Sequence, residues 1–200
     1  HSGVELETNY TVNDMLDLMF VASFGNWKFD GDANGNYQET EYNSEGQAVG
    51  YTTTEYAYAL DGLYVGDMPQ TSYVLGVTLK PIKDLRIQAI HKMYDKNYSD
   101  WSPSAREFDG TNDDADRAQV WEAPSYNRLD LHMSYKLPKV KDLDMMLTAN
   151  IFNVLDEVYV QDAVDNSQYN GYGSKNHLAH NAEVFLGTPR YANIGLSIGF

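Results

Sequence analysis

Apolar and polar residues alternate one by one in seven separate stretches of the chain. Successive side chains of a β-strand point to opposite faces, so this period of two predicts seven β-strands that each present one apolar face. The apolar members, in chain order, are Val4 and Leu6; Leu16, Leu18, Phe20, Ala22 and Phe24; Tyr73, Leu75, Val77 and Leu79; Leu85, Ile87, Ala89 and Met93; Leu129, Leu131, Met133, Tyr135 and Leu137; Leu143, Met145, Leu147, Ala149 and Ile151; and Ile194, Leu196, Ile198 and Phe200.

The connections between these stretches alternate between short and long. Short turns are expected at residues 11–14, 81–84 and 137–142, and long polar loops at about 27–71, 97–124 and 161–189. Membrane barrels combine short periplasmic turns with long extracellular loops, and this rhythm favours a barrel over a soluble sandwich. Residues 51–60 are also strand-like, but the parity of the seven strands places them inside the first long loop. If the short turns are periplasmic, the last strand ends with Phe200 in the periplasm.

The composition fits a membrane barrel, although its mean values resemble those of a soluble protein. Mean hydropathy is −0.51, and no run approaches the roughly 18 apolar residues of a membrane helix. In a barrel only alternate residues face lipid, which dilutes the mean hydropathy. The 16 Tyr, 3 Trp and 7 Phe supply the residues that form aromatic girdles at membrane interfaces. The predicted fold is therefore all-β, an antiparallel transmembrane β-barrel.

Charge and motif content exclude several classes of function. The formal net charge of −15 argues against a nucleic-acid partner, because phosphate binding depends on Lys and Arg, and it favours cations or neutral ligands. The absence of cysteine excludes a disulfide framework and thiolate chemistry. The chain has no G-x-S-x-G, no H-E-x-x-H and no Gly-rich phosphate loop. We expect no enzymatic activity and no required cofactor.

Several segments resemble the closing strands of TonB-dependent receptors. PSYNRLDLHMSYKL at 124–137 precedes LTANIFNVLDEVY at 147–159, which is similar to the family's "N-x-F-N-L-F-D-x-x-Y" run. GTPRYANIGLSIGF at 187–200 resembles its final "G-x-P-R … F" arm. GVELETNY at 3–10 and VGDMPQTSYVLGV at 65–77 resemble earlier strands, so the likeness covers nearly everything except the long loops. The terminal aromatic Phe200 is similar to the signal that the barrel-assembly machinery reads.

This resemblance implies more than the alternation does. Family members form large barrels, and the 22-stranded type encloses a plug. Residues 1–200 would then be the C-terminal part of one barrel domain, about its last seven strands, with the plug domain and the earlier strands outside this chain. The implied function is import of a scarce nutrient across the bacterial outer membrane, energised by TonB, ExbB and ExbD. The SusC-like branch usually carries a "D-P-E" segment that this chain lacks, which favours the siderophore, haem or cobalamin branch.

Two other functions remain open at this point. A passive porin or an adhesin could be built on the same barrel without a plug or a TonB contact. A soluble β-sandwich, such as a carbohydrate-binding module, would share the strand pattern but would stay in solution without detergent.

Candidate ligand-binding residues are aromatic and lie in the long loops. Rings of this kind can stack on a nutrient ligand, although interfacial anchoring or loop packing is the alternative. His177 and His180 lie three apart in the last loop, a spacing that is unspecific for a metal. The candidate ligand-binding residues are Trp101, Phe108, Trp121, Tyr169 and Tyr172.

A calcium site is predicted at residues 30–41, DGDANGNYQETE, which match the D-x-[DN]-x-[DN]-G-x5-E pattern. Gly35 would permit the sharp turn, and hard oxygen ligands suit a hard cation. A plain solvated turn is the alternative, because the flanking residues do not suggest the two helices of an EF-hand. The predicted ligands are Asp30, Asp32, Asn34, Asn36 and Glu41.

Overall fold

The structure is a computed structural model that describes residues 2–108, 115–170 and 176–200. Short 3-10 helices lie at Pro103–Arg106, Ser167–Tyr169 and Ala179–Asn181. None of the helices in these described ranges is long and apolar enough to cross a membrane. The strands are β1 Ser2–Asn13, β2 Leu16–Asn26, β3 Ala33–Tyr42, β4 Ala48–Tyr58, β5 Thr71–Leu79, β6 Leu85–Asp95, β7 Asn97–Tyr98, β8 Glu107–Phe108, β9 Glu122–Ala123, β10 Tyr126–Lys136, β11 Asp144–Phe152, β12 Val160–Asp165, β13 Ala182–Leu186 and β14 Tyr191–Gly199.

The seven strands predicted from the alternation form one antiparallel sheet in the order β1-β2-β5-β6-β10-β11-β14. The prediction of an all-β antiparallel fold is confirmed. Short turns join the strands at one end of the sheet. At the other end are three long connections, which we call the first (27–70), second (96–125) and third (153–190) long loops. In the described residues β1 and β14 occupy the two edges of the sheet and do not pair with each other.

The register gives the sheet one continuous apolar face. Opposed residues on this face run from Leu18 through Val77, Ala89 and Leu131 to Ile151. Several of the large side chains on this face are strongly exposed, among them Leu75 at 50% and Leu196 at 55%. Exposed apolar residues in a contiguous face this wide indicate contact with something other than water.

The opposite face carries a belt of polar side chains at one height. Gln88 donates to Thr78 at 3.1 Å, and Asn150 contacts His132 and Asn193, each at 2.8 Å. Thr78, Gln88, His132, Asn150 and Asn193 are opposed in register on β5, β6, β10, β11 and β14. Polar side chains therefore form hydrogen bonds between β5 and β6 and across β10, β11 and β14 on this face.

The long loops contain secondary structure of their own. β3 and β4 form a long hairpin extended by β8, while β7 pairs with β9 and β12 pairs with β13. The strand-like residues 51–60 fall largely in β4, outside the seven-stranded sheet, as the parity required. A small apolar core of Leu60, Leu63, Tyr98, Trp101 and Val120 joins the first and second loops.

Candidate ligand-binding loops and the motifs that support them

The two closing motifs identified in the sequence interlock at the base of the third loop. Asn153, which is 1% exposed, donates through its side-chain amide to the carbonyls of Glu157 at 2.9 Å and Thr188 at 3.1 Å. Its own side-chain oxygen accepts from the Glu157 N–H at 3.0 Å. The backbone N–H of Asn153 is bound by Asp130 of β10 at 2.9 Å. Asn153 thus connects to β10 through its backbone N–H, and its side-chain amide joins the start of the third loop to its end.

The arginine and the glycine of the final motif also contact the earlier motif. The Arg190 N–H donates to Asp156 at 2.9 Å, and its guanidinium reaches the Val154 carbonyl at 3.3 Å. Gly187 N–H donates to the Tyr159 carbonyl at 2.9 Å, and a Cβ at position 187 would overlap the Tyr159 ring. The final motif, which precedes β14, therefore packs directly on the motif that follows β11. These contacts help to hold β11 and β14 next to each other.

Substituting Gly187 by Ala should destabilise this junction. The Tyr159 ring cannot easily move aside, because it stacks on Tyr126 at 4.3 Å and its hydroxyl is held by Arg128 at 3.2 Å. Overpacking of this kind costs about 1 to 3 kcal/mol. The measurement is the denaturant midpoint of the purified, folded protein. Gly199→Ala is the matched control, because a Cβ there meets only ordinary contacts near 3.8 Å. Equal midpoints for the two variants would contradict the expected clash.

Aromatic and charged residues line the polar face just below the loops. Tyr94, Tyr126 and Tyr159 follow one another at 5.0 and 4.3 Å between ring centroids. Asp130, which is 1% exposed, forms ion pairs with Lys92 at 3.0 Å and Arg128 at 3.2 Å. The buried charge of Asp130 is therefore compensated by two cations at the base of the loops.

Trp101 is a core residue of the loops. It is 7% exposed, its indole N–H donates to the Tyr64 carbonyl at 3.3 Å, and its ring meets Phe29 edge to face at 5.4 Å. Packing of the loops explains these contacts, and the ring offers little surface to a ligand.

The other predicted aromatic residues are more accessible, and the structure does not bring them together at one site. Phe108 is half-buried on β8 under the Arg117 guanidinium, 5.6 Å from its centroid, and Trp121 is half-buried beside β9. Tyr169 is 76% exposed on the 3-10 helix of the third loop. Tyr172 lies outside the described residues.

Three carboxylates meet where the three long loops touch. Gly66 packs so tightly on the backbone of Asp100 that a Cβ there would lie 2.6 Å from the Asp100 Cα, and the Asp100 N–H donates to the Ala163 carbonyl at 2.7 Å. These contacts place Asp67, Asp100 and Asp162 near one another. Burial, followed by the charges of Asp100 and Asp162, raises the pKa of Asp67. The assembled loops therefore present a negative surface.

His177 lies in a buried polar network that sequence reasoning did not find. The residue is 3% exposed, its Nδ1 contacts Asp165 and its Nε2 lies 2.6 Å from Asp116. Burial opposes ionisation of both carboxyls, but hydrogen bonds from His177, and from Ser167 to Asp165, hold the pKa of each below its usual range. His180, the other histidine of this loop, is exposed. The partners are far apart in sequence, and no motif signals them.

Arg106 extends the network on its far side. This fully buried side chain donates to the carbonyl and the carboxylate of Asp116, at 3.0 and 3.1 Å. Burial, the largest cause, lowers the pKa of the guanidinium despite the charges of Asp116 and Asp165. An arginine keeps its proton under all ordinary conditions, so Asp116 always faces a cation on this side.

The predicted calcium ligands are distributed along a hairpin. Asn34, Asn36 and Glu41 lie on β3, where a rise of about 3.3 Å per residue separates Asn34 from Glu41 by roughly 23 Å. Glu41 accepts a hydrogen bond from Thr52 of β4, and both oxygens of Asp32 bind Arg117. Asp30 is exposed. The five ligands are not brought together, because strand pairing with β4 replaces the compact loop that the prediction requires.

Metal-binding geometry is also missing elsewhere in the part of the chain that the structure describes. Within residues 2–108, 115–170 and 176–200, no group of three or more His, Asp or Glu side chains is arranged to hold a metal ion.

A family model described as "TonB dependent receptor-like, beta-barrel" matches residues 1–154. The match covers most of the chain and six of the seven strands of the main sheet, so the chain belongs to this family. Among solved structures, the chain is similar to the ferric-catecholate import receptor Fiu from E. coli K12 in its closed form. That similarity has 16% identity and a TM-score of 0.41, and it covers 98% of this chain and 27% of the receptor. None of the curated proteins matches.

Proposed function

We propose that this chain is the C-terminal part of an outer-membrane TonB-dependent receptor that imports a scarce nutrient. The observation that carries the proposal is the family match over residues 1–154, together with a sheet that is apolar on one face and polar on the other. In this receptor the apolar face contacts lipid. The polar face lines the lumen, which in the whole protein also holds a plug domain. The barrel is of the 22-stranded type.

The proposed orientation places the long loops outside the cell. The short turns and Phe200 then lie in the periplasm, where TonB, anchored with ExbB and ExbD, supplies the energy for import. The loops bind the ligand and the receptor performs no covalent chemistry. Phe108, Trp121, Tyr169 and Tyr172 are the proposed ligand contacts, while Trp101 supports them from the loop core.

The proposed ligand is an iron-siderophore, haem or cobalamin. The negative surface where Asp67, Asp100 and Asp162 meet favours a ligand that is neutral or cationic at the point of contact, because like charges repel. Accessible aromatic rings elsewhere in the loops, at Phe108, Trp121 and Tyr169, offer stacking contacts for a conjugated ligand.

Uptake by the source bacterium tests this function. Cells that lack the receptor should fail to take up one member of a panel of radiolabelled ferric siderophores, haem and cobalamin, and restoring the receptor should restore uptake. Removal of TonB should abolish the same uptake. Uptake that depends on the receptor but not on TonB would identify a passive porin and would reject the proposal. A receptor that mediates attachment without any uptake would identify an adhesin.

Deletion of Phe200 should reduce the amount of receptor in the outer membrane. Phe200 continues the apolar row of Ile194, Leu196 and Ile198, and its aromatic ring resembles the group that is read during assembly. The measurement is the abundance of folded receptor in outer-membrane fractions, with Phe200→Tyr as the control that keeps an aromatic ring. Normal abundance of the truncated receptor would count against this role.

A further inference from the structure

We propose that the β3–β4 hairpin of the first long loop is a docking surface for a basic peptide segment, which binds in an extended conformation as an additional strand along the open edge of β3. This interaction is separate from nutrient import and does not depend on which nutrient is carried.

The hairpin has an open edge along β3. β3 and β4 pair from Ala33, opposite Tyr58, out to Tyr42, opposite Ala48, whereas β8 pairs with β4 at only two positions near the base. In the described part of the chain, the outer edge of β3 therefore has no neighbouring strand along its ten residues. Two-stranded hairpins are only marginally stable in water, and a third strand stabilises them.

The base of the hairpin is fixed to the second long loop. Both oxygens of Asp32 bind Arg117, at 2.7 and 2.6 Å, and the Ala59 N–H donates to the Arg106 carbonyl at 2.8 Å. Beyond this base, every residue of β3 after Ala33 is exposed. The strand is therefore already extended and accessible, and a binding segment gains backbone hydrogen bonds without first having to order β3.

The charge of the hairpin favours a basic partner. Residues 33–58 contain four glutamates and no Lys or Arg, and none of these glutamates forms an ion pair in the part of the chain that the structure describes. Opposite charges on facing positions of neighbouring strands stabilise pairing, and like charges oppose it. A second copy of the hairpin would bring like charges together, whereas a basic segment compensates them. The glutamates are Glu39, Glu41, Glu45 and Glu55.

The side chains of β3 indicate which pattern of residues the partner carries. Tyr37, Glu39 and Glu41 lie on one face of the strand, and Gln38 and Thr40 lie between them on the other. An added strand with Lys or Arg at every second residue places cations beside both glutamates. It also places one beside the Tyr37 ring, which is 57% exposed and can form a cation–π contact. Small polar residues at the intervening positions suit Gln38 and Thr40.

Binding of a designed peptide to the purified, folded protein tests the proposal. The probe is a fluorescein-labelled peptide of ten residues in which Lys and Thr alternate, and the measurement is fluorescence anisotropy. Two control peptides should not bind: one with Glu in place of Lys, and one that keeps every Lys but is N-methylated along its backbone and therefore cannot pair as a strand. Binding of the methylated peptide as tight as that of the probe would overturn the proposal, because it would show attraction without strand pairing.

Amide hydrogen exchange identifies the strand that the probe contacts. The N–H groups of an edge strand point alternately toward its neighbour and toward the open side, and those on the open side exchange rapidly. The probe should slow exchange within residues 33–42. Unchanged exchange there with bound probe would contradict docking on β3. Protection that increases with protein concentration in the absence of probe would instead identify a second copy of the hairpin as the occupant.

Two charge reversals test the position of the contact. Glu39→Lys replaces an attraction at the open edge by a repulsion and should weaken probe binding about three- to tenfold. Glu55→Lys changes the net charge equally but lies on β4, opposite Asn36 and on the other face of the hairpin, so the probe should bind it nearly as tightly as the native protein. Equal weakening in the two folded variants would show diffuse attraction to the acidic loop and would reject the proposed edge.

Discussion

Arg in place of Leu131 should destabilise the folded receptor by about 2 to 4 kcal/mol, the cost of a basic side chain near the bilayer midplane of a barrel. Leu131 is the middle residue of β10 and lies on the apolar face, between Ala89 and Ile151. On the proposed orientation its side chain is surrounded by lipid. The measurement is the free energy of unfolding in a denaturant titration of the receptor in phospholipid vesicles.

Ser134→Arg is the matched control on the same strand. Ser134 faces the polar side, where it lines a cavity of about 220 Å³ together with Arg86, Gln88 and Thr148. A long polar side chain can extend into that space, so we expect a mild effect. If the two variants cost the same, the apolar face is not in contact with lipid and the membrane assignment is wrong.

Ala in place of Asn153 should also be strongly destabilising. The substitution leaves the Glu157 N–H and the carbonyls of Glu157 and Thr188 without their side-chain partner, and losing these partners in a partly buried junction costs about 1 to 3 kcal/mol together. It also places an alanine at φ 50°, a conformation that Asn tolerates better. The measurement is the unfolding midpoint, supported by proteolysis of the third loop in the folded receptor.

Asn153→Gly separates the two causes. Glycine accepts the positive φ without strain but has no side chain. The glycine variant should therefore lose the same hydrogen bonds as the alanine variant without the backbone strain. We expect the glycine variant to be more stable than the alanine variant and far less stable than the native protein. A glycine variant as stable as the native receptor would show that the amide does not hold the closing motifs together.

The seven strands of the main sheet could be predicted because their signal is local. Alternation around Leu131 or Leu196 depends only on the two environments of a half-buried strand, and neighbouring residues report it directly. Strand ends were less certain: β10 begins at Tyr126, three residues before the alternation becomes regular, because Tyr126 pairs with Tyr94. The family motifs were also visible, but the sequence did not reveal that Asn153 and Gly187 belong to one junction.

The loops could not be predicted in the same way, because their structure depends on partners far away in the chain. The residues at 30–41 fit a calcium-binding pattern, yet pairing with β4 makes most of them a strand. Trp101 was a candidate for ligand binding, and only its contacts show that it is buried. Asp116, Asp165 and His177 come from two loops, and no spacing rule connects them.

The polar belt from Thr78 to Asn193 has a consequence for how accurately the sheet assembles. A shift of one residue between neighbouring strands would turn every side chain of the shifted strand to the wrong face and would separate the belt residues from their partners. A shift of two residues would keep the faces correct, and alternation alone would not oppose it. The belt would still lose hydrogen bonds in that case, because Gln88 meets Thr78, and Asn150 meets His132 and Asn193, only in the observed register. These polar side chains therefore discriminate between alignments that the apolar face tolerates equally well.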